Sequence, residues 1–456
     1  MGSGIPNKQE KLSFGIEMEF FVAWRAETFT GTVPTPPGFE SKTGEPLVVK
    51  GNWATEGDRV SALAHMIDEA FPSCAATVAP SEGEIPDYRT ESWYHLLPFR
   101  HHWDVSVDSS LNRLPVELRD KTGPDFGWVG AEIASPALWA TDEGFEEVRR
   151  MCEFLQTNLL TFTAPEAGFH VHVGGGNEWL SLSSLRQIAA FLYSADMVLA
   201  QSHPEHRYNN AWCPSPRLYS NLSVGIKHLP NQAQPAPPDE RLAYADSMGL
   251  AKNSSQDPVG PAKPPRENQD PAKHRFSPRP TVSNLKIQTH ALERVLSYLG
   301  SDLEEIPDPR TYLPTPMMTA VAELLRSPDR RSIARLMNIG QRKGAYSFIQ
   351  LEREYKRTIE FRQAASMVDP VGVVAYARIA VGLCQFAITA SHEDFFKIIL
   401  DCKISERHPS WYDVYDLLED VGLYPEAKVV QAVLSDTMTD DMRREYWLSR
   451  GHAPRP

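Results

Sequence analysis

Cysteine is scarce in this chain and never paired. Cys74, Cys152, Cys213, Cys384 and Cys402 are five in number, scattered, and no two form a C-x-x-C. That pattern argues against a zinc ribbon or a disulfide scaffold and fits a reducing compartment. Several catalytic signatures are missing as well: there is no G-x-x-x-x-G-K-[ST] phosphate loop, no G-x-S-x-G nucleophile elbow and no H-E-x-x-H zinc helix. No unbroken run of about 18 apolar residues stands out, so no membrane-spanning helix is expected. The opening MGSGIPNKQEKLS has no apolar stretch for a secretory leader, and Pro6 spoils the M-G-x-x-x-[ST] acylation pattern. Basic residues are in deficit, 46 Lys and Arg against 59 Asp and Glu, for a net charge of −13. A nucleic-acid surface is not the main business of such a chain. The expectation is a cytoplasmic protein with neither nucleic acid nor membrane as partner.

What is present is ordinary for a globular protein: 41% hydrophobic and 23% charged residues over 456 positions, enough for a sizeable core and roughly two or three domains. Residues 31–57 read as a Pro/Gly-rich loop, and 58–70 as a helix. Residues 101–111 and 127–136 read as strands, 141–160 as an amphipathic helix capped by Thr141 or Asp142, and 168–176 as a short strand ending in glycines. A second helix starts near Ser183. Residues 230–280 hold eleven prolines and few large apolar groups, the composition of a disordered insertion. Order is expected to resume at residue 281, with a long apolar helix over 371–390 and a helical, acidic segment over 393–456. The reading is α+β: a largely antiparallel sheet with helices on its outer face. One catalytic domain, residues 1–229 and 281–392, is interrupted by the insertion, and a helical segment follows it.

The chemistry sits on strands. In FGIEMEFFV (14–22), Glu17 and Glu19 share one face while Ile16, Met18 and Phe20 share the other. Two adjacent carboxylates in an apolar strand repel each other, and a bound cation is the first candidate for what offsets this. The same geometry recurs. GFHVHVG puts His170 and His172 on one face, TIEFRQ does so for Glu360 and Arg362, and AEIASP sets Glu132 opposite Ile133. Asp108 closes the alternating segment VDSSL. Each has a plain explanation: a solvated face for the glutamates, packing for the histidines, a surface ion pair for Glu360 and Arg362, and a turn cap for Asp108. Together, many carboxylates with one or two imidazoles suit a hard, oxygen-preferring ion such as Mg²⁺ or Mn²⁺.

The ordered set GIEME, AEIASP, GFHVHVG and TIEFR resembles the amidoligase family, relatives of glutamine synthetase and glutamate–cysteine ligase, over most of residues 12–385. The resemblance implies a glutamine synthetase-like catalytic fold, a curved antiparallel sheet whose concave face binds ATP and two or three Mg²⁺ ions. It implies ATP-dependent joining of a carboxylate to an amine through an acyl phosphate, on small-molecule or peptide substrates. Carried over residue by residue, Glu17, Glu19, Glu132 and Glu360 match metal ligands. His170 or His172 matches the histidine that reaches the metal holding the transferred phosphate; His172 is set among the metal ligands and His170 on the nucleotide side. Arg362 matches the arginine that stabilises the phosphoryl group, and Arg342 is a second phosphate-binding candidate. Asp108 is a candidate for the base that takes the amine's proton, and Arg207 for the substrate side. Gln350 and residues 364–367 (AASM) depart from the family pattern near the acceptor and nucleotide side. Two other readings remain open at this point: a metal-dependent hydrolase using the His-x-His face, and a non-catalytic nucleotide- or metabolite-binding relative.

Overall fold

The computed structural model describes residues 10–36, 44–51, 55–74, 76–78, 102–111, 113–208, 210, 212–225, 314–339, 343–352, 357–406, 408 and 411–451. The Pro-rich insertion, residues 281–313 where order is expected to resume, and Arg342 lie outside the described residues. In chain order the strands are β1 (Ser13–Ala26), β2 (Leu47–Val49), β3 (Asp104–Ser106), β4 (Phe126–Ala134), β5 (Leu138–Trp139), β6 (Thr161–Phe162), β7 (Gly168–Gly174), β8 (Tyr346–Ser347) and β9 (Thr358–Ala365). The helices are α1 (Glu56–Ala70), α2 (Asp142–Asn158), α3 (Leu182–Leu199), α4 (Glu205–Tyr208), α5 (Pro216–Tyr219), α6 (Met317–Leu325), α7 (Arg330–Met337), α8 (Pro370–Thr389), α9 (His392–Ser405), α10 (Val414–Asp420), α11 (Tyr424–Leu434) and α12 (Asp440–Ser449). The architecture is α+β, with a large, mostly antiparallel sheet that does not close into a barrel. The chain divides into two units. The first takes residues up to Leu180 with 353–360 and 364–381; the second takes the remainder.

The first unit is built on β1, which is central in the order β3-β4-β1-β7-β9. β4 and β7 flank it antiparallel, and the short β2 pairs with its end in parallel. The registers fix which residues share a face. Glu19 lies opposite Glu132, Glu17 opposite His170, and Gly15 opposite His172. Ser106 of β3 lies opposite Glu132 in turn. Directly paired residues point to the same side of the sheet, so this face collects the polar set. The other face pairs Met18 with Ile133, Phe20 with Ala131, and Ile16 with Val171. These side chains are buried, as is the stripe Phe145, Val148, Met151, Cys152 and Leu155 of α2. Phe145 stacks on Phe14 at 4.5 Å between ring centroids. Thr141 caps α2 by accepting from the Gly144 amide. Each large apolar side chain buried this way contributes about 1.5–3 kcal/mol.

The polar face is not polar along its whole length. Beyond Glu19 the strand continues to Phe21 and Ala23, which join Leu111, Leu118, Trp128, Leu160, Ala164 and Ala167 in a second small core. Gly130, opposite Phe21, lets this core close. A Cβ added there would lie 2.6 Å from Leu111 Cβ and 3.0 Å from its carbonyl oxygen. The missing side chain therefore allows the turn after Asp108 to rest on the sheet.

Two expectations are corrected here. The loop over 31–57 contains β2 and the start of α1, whose N-cap is Thr55 in a reciprocal capping box with Asp58. The strand over 101–111 is only Asp104–Ser106, because Asp108 accepts from both the amide and the hydroxyl of Ser110 and turns the chain into a 3₁₀ segment. Among the described residues one helix, α8, is long and apolar enough by length and composition to cross a membrane, and 67% of its most apolar stretch is buried inside the protein. Its Arg378 pairs with Asp142 at 2.8 Å and lies over the Phe145 ring.

The second unit is mainly helical. α3 is its buried axis, with α6, α7 and α9 packed along it. Polar anchors hold the segment that follows α4. Buried Arg217 donates to Tyr193 Oη (3.2 Å) and Glu406 (2.6 Å). The Ser215 hydroxyl donates to buried Asp196. Arg207, the substrate-side candidate, is instead a buried clamp: its guanidinium donates to the carbonyls of Gln363 (3.0 Å) and Arg362 (2.8 Å).

Two predictions follow from these units. Gly130→Ala destabilises the protein by about 1–3 kcal/mol through overpacking against Leu111, read as a lower denaturant midpoint; an unchanged midpoint would show that the turn yields freely. Burial pushes the Asp196 carboxyl up from its ordinary 3.8 to about 7. The folded state therefore takes up a proton, and this group's contribution to stability is full below about pH 4 and is lost as pH rises through 7. Thermal melts between pH 4 and 8 will show the wild type losing stability relative to Asp196→Asn with rising pH; parallel profiles would contradict this.

Candidate metal centre

Two groups of ligands converge on the polar face of the first unit. In one, Glu17, His170 and Glu360 each offer an atom, all within 4.8 Å of one another; in the other, Glu19, Asp108 and Glu132 do the same. Four strands and one turn supply them. β1 gives one glutamate to each group because successive same-face residues are two apart. β7 and β9 complete the first group. β4 and the turn after β3 complete the second.

The carboxylates are largely withdrawn from water. Glu360 is fully buried and Glu19 is 7% exposed. Their surroundings orient them. Glu19 Oε2 accepts from the Gly168 amide at 2.6 Å, and the Ser366 hydroxyl donates to the Glu19 carbonyl. His170 sits between the two β1 carboxylates, Nδ1 at 3.3 Å from Glu17 and Nε2 at 3.4 Å from Glu19. Asp108 is held by Ser110, whose amide and hydroxyl meet its two oxygens at 2.7 and 2.6 Å.

The donor sets fit divalent cations. Around an octahedral ion with bonds of about 2.0–2.1 Å, opposite ligand atoms stand about 4.2 Å apart, so small side-chain adjustments would close either group. Oxygen donors dominate both, which favours a hard ion such as Mg²⁺ or Mn²⁺ over a thiophilic one.

The sequence candidates are distributed as follows. Glu17, Glu19, Glu132 and Glu360 stand in the two groups. Asp108 stands with Glu19 and Glu132 in a ligand group. His170, set on the nucleotide side, is the imidazole of the first group. His172, set among the ligands, belongs to neither group; its Nε2 is 3.0 Å from Glu17 Oε1 and its Nδ1 3.1 Å from Thr358 Oγ1. Arg362 follows Glu360 by two residues on β9 and belongs to the second unit, where its Nε donates to the Trp212 carbonyl at 3.3 Å. The glycine run 174–177 is a turn: Gly176 has φ of +72° and its amide donates to Ser13 Oγ at 2.8 Å. Reading by motif missed Thr358, Gly168, Ser110 and Gly130. Only Thr358 had a signal, its position two residues before Glu360 on the same face.

A family model described as "Putative amidoligase enzyme" matches residues 10–282. No curated protein matches the chain. The matched span contains β1, β4 and β7, hence five of the six residues in the two ligand groups, while Glu360 lies beyond it and stands in its group by geometry, and Arg362 lies beyond it as well. More than half of the chain is covered, and the covered half carries the paired carboxylates that the sheet registers bring together; the chain belongs to this amidoligase family, whose description names an amide-forming ligase.

Proposed function

We propose that the protein is an ATP-dependent carboxylate–amine ligase that forms an amide bond through an acyl phosphate on a small-molecule or peptide substrate. The observation that carries this reading is the pair of ligand groups sharing β1, six residues converging on one sheet face. A carboxylate is a poor acylating agent because its leaving group would be oxide, so amide formation at neutral pH needs an activated acid. Divalent cations, when bound, would supply neutralisation of charge on the phosphate oxygens.

The residues divide that work. Glu17, His170 and Glu360 would hold one cation; Glu19, Asp108 and Glu132 would hold a second. Arg362, which matches the family's phosphoryl-stabilising arginine, would supply a guanidinium suited to phosphoryl oxygens by its planar, permanently charged fork. The proton of the attacking amine needs an acceptor; Asp108, already engaged with Ser110 and grouped with two glutamates, is better suited to a cation than to that role. A glutamine synthetase-like fold and a cytoplasmic setting accord with this reading, the latter through five free cysteines.

Three outcomes test it. Calorimetry with Mg²⁺ and a non-hydrolysable ATP analogue will show Mg²⁺-dependent nucleotide binding in the wild type and none in Glu17→Gln/Glu19→Gln. No nucleotide binding at any Mg²⁺ concentration would remove the ligase reading. The same double variant will be more stable than the wild type without cation, because a like-charge pair is gone, and will lose the rise in melting temperature that Mg²⁺ gives the wild type, worth about 2.7 kcal/mol at a hundredfold excess over Kd. With a carboxylate that supports ADP release by the wild type and hydroxylamine as acceptor, Arg362→Ala will slow that release by roughly 10²-fold or more, with nucleotide affinity changed much less; an equal loss in both would assign Arg362 to ground-state binding.

A further inference from the structure

We infer that His172 is a positioning residue for Glu17 rather than a metal ligand, and that Thr358 fixes it in that role. The inference rests on the proposed metal centre and specifies how one of its ligands is held. His172 lies opposite Gly15 in the β1–β7 register, so no side chain stands across from it. Its ring reaches diagonally along β1 instead, to Glu17. The contact is Nε2 to Glu17 Oε1 at 3.0 Å, and on the other side of the ring Nδ1 meets Thr358 Oγ1 at 3.1 Å. The side chain is only 10% exposed.

The proton placement follows from the partners. A carboxylate only accepts, so Nε2 carries the hydrogen and donates it. In the neutral ring Nδ1 is then an acceptor, and the Thr358 hydroxyl is the donor that satisfies it. The ring is thereby held on both sides, with Nε2 aimed at Glu17 Oε1, and it stands outside both ligand groups. His170 differs: it lies directly opposite Glu17 and is the imidazole within the first ligand group. The two histidines of the H-x-H motif therefore have different tasks, one ligating and one orienting the carboxylate that ligates. Groups that hold a ligand in this way set its direction and basicity, and their loss lowers metal affinity about 10–100-fold.

The probe is Mn²⁺ alone, added to the full chain, with electron spin-echo spectroscopy counting imidazole nitrogens coupled to the bound ion and a titration giving its affinity. The wild type will show one coupled imidazole. His170→Gln will lose that coupling. His172→Gln will keep it and bind Mn²⁺ about 10–100-fold more weakly. Thr358→Val will weaken binding in the same direction, Thr358→Ser will restore it, and adding Thr358→Val to His172→Gln will cost little more, since both act through Glu17. Two coupled imidazoles, one lost in His172→Gln, would overturn the inference while leaving the metal centre standing. Unchanged affinity in a folded His172→Gln would do the same. A wild type that takes up no Mn²⁺ would overturn the centre itself, and the inference with it.

Discussion

Everything in the first unit answers one electrostatic problem: Glu17 and Glu19 stand two residues apart on the same face of a central strand. Two like charges about 6.6 Å apart, two strand rises, repel by about 2.5 kcal/mol at an effective dielectric of 20. The backbone cannot relieve this. β1 is fixed on both edges by β4 and β7, and its reverse face is locked into the apolar layer over α2. A one-residue slip would carry both glutamates into that layer and its apolar residues out. The repulsion must therefore be met where it arises. Part of the answer is the Gly168 amide on Glu19 and part is His170 between the two carboxylates; under the ligase reading, bound cations would supply the rest.

The small core at the far end of the same face serves this arrangement. Phe21 continues the parity of Glu17 and Glu19, yet it is sealed under Leu111, Leu118 and Leu160. Leu111 closes over Gly130, and the turn that delivers Leu111 begins at Asp108. Packing and chemistry are thus joined in one short segment. The apolar contact fixes the turn, and the Ser110 contacts aim the carboxylate that the turn carries. A glycine in a strand interior weakens pairing on its own; here the close approach of the turn gives it a reason.

Much of this was legible in the chain. Period-two alternation assigned Glu17, Glu19, Glu132, His170 and Glu360 to strand faces, because parity is local and needs no tertiary knowledge. What parity could not give was register. Nothing in the sequence set His170 rather than His172 opposite Glu17, and that single offset decides which histidine joins a ligand group. Asp108 was visible but its task was not: a turn residue shows its cap in the sequence, never the strand it will face. Arg207 was misread for a related reason. A charged residue in a polar stretch looks available to substrate, and only the folded chain reveals that its guanidinium holds two carbonyls of β9.

The two ligand groups are not equivalent, and the difference assigns them tasks under the ligase reading. The first pairs two carboxylates with an imidazole; the second has three carboxylates. A divalent cation in the first would be just neutralised by its protein ligands, with an ion in the second left under an excess negative charge. An incoming phosphate oxygen meets less repulsion at the first, and there a cation retains more of its power to polarise it. The second would hold its ion more firmly and take its place earlier, as a fixed part of the site. Under the ligase reading, a nucleotide's transferable phosphate would therefore belong with Glu17, His170 and Glu360, and a histidine that orients Glu17 would act on the cation whose charge matters most to the chemistry.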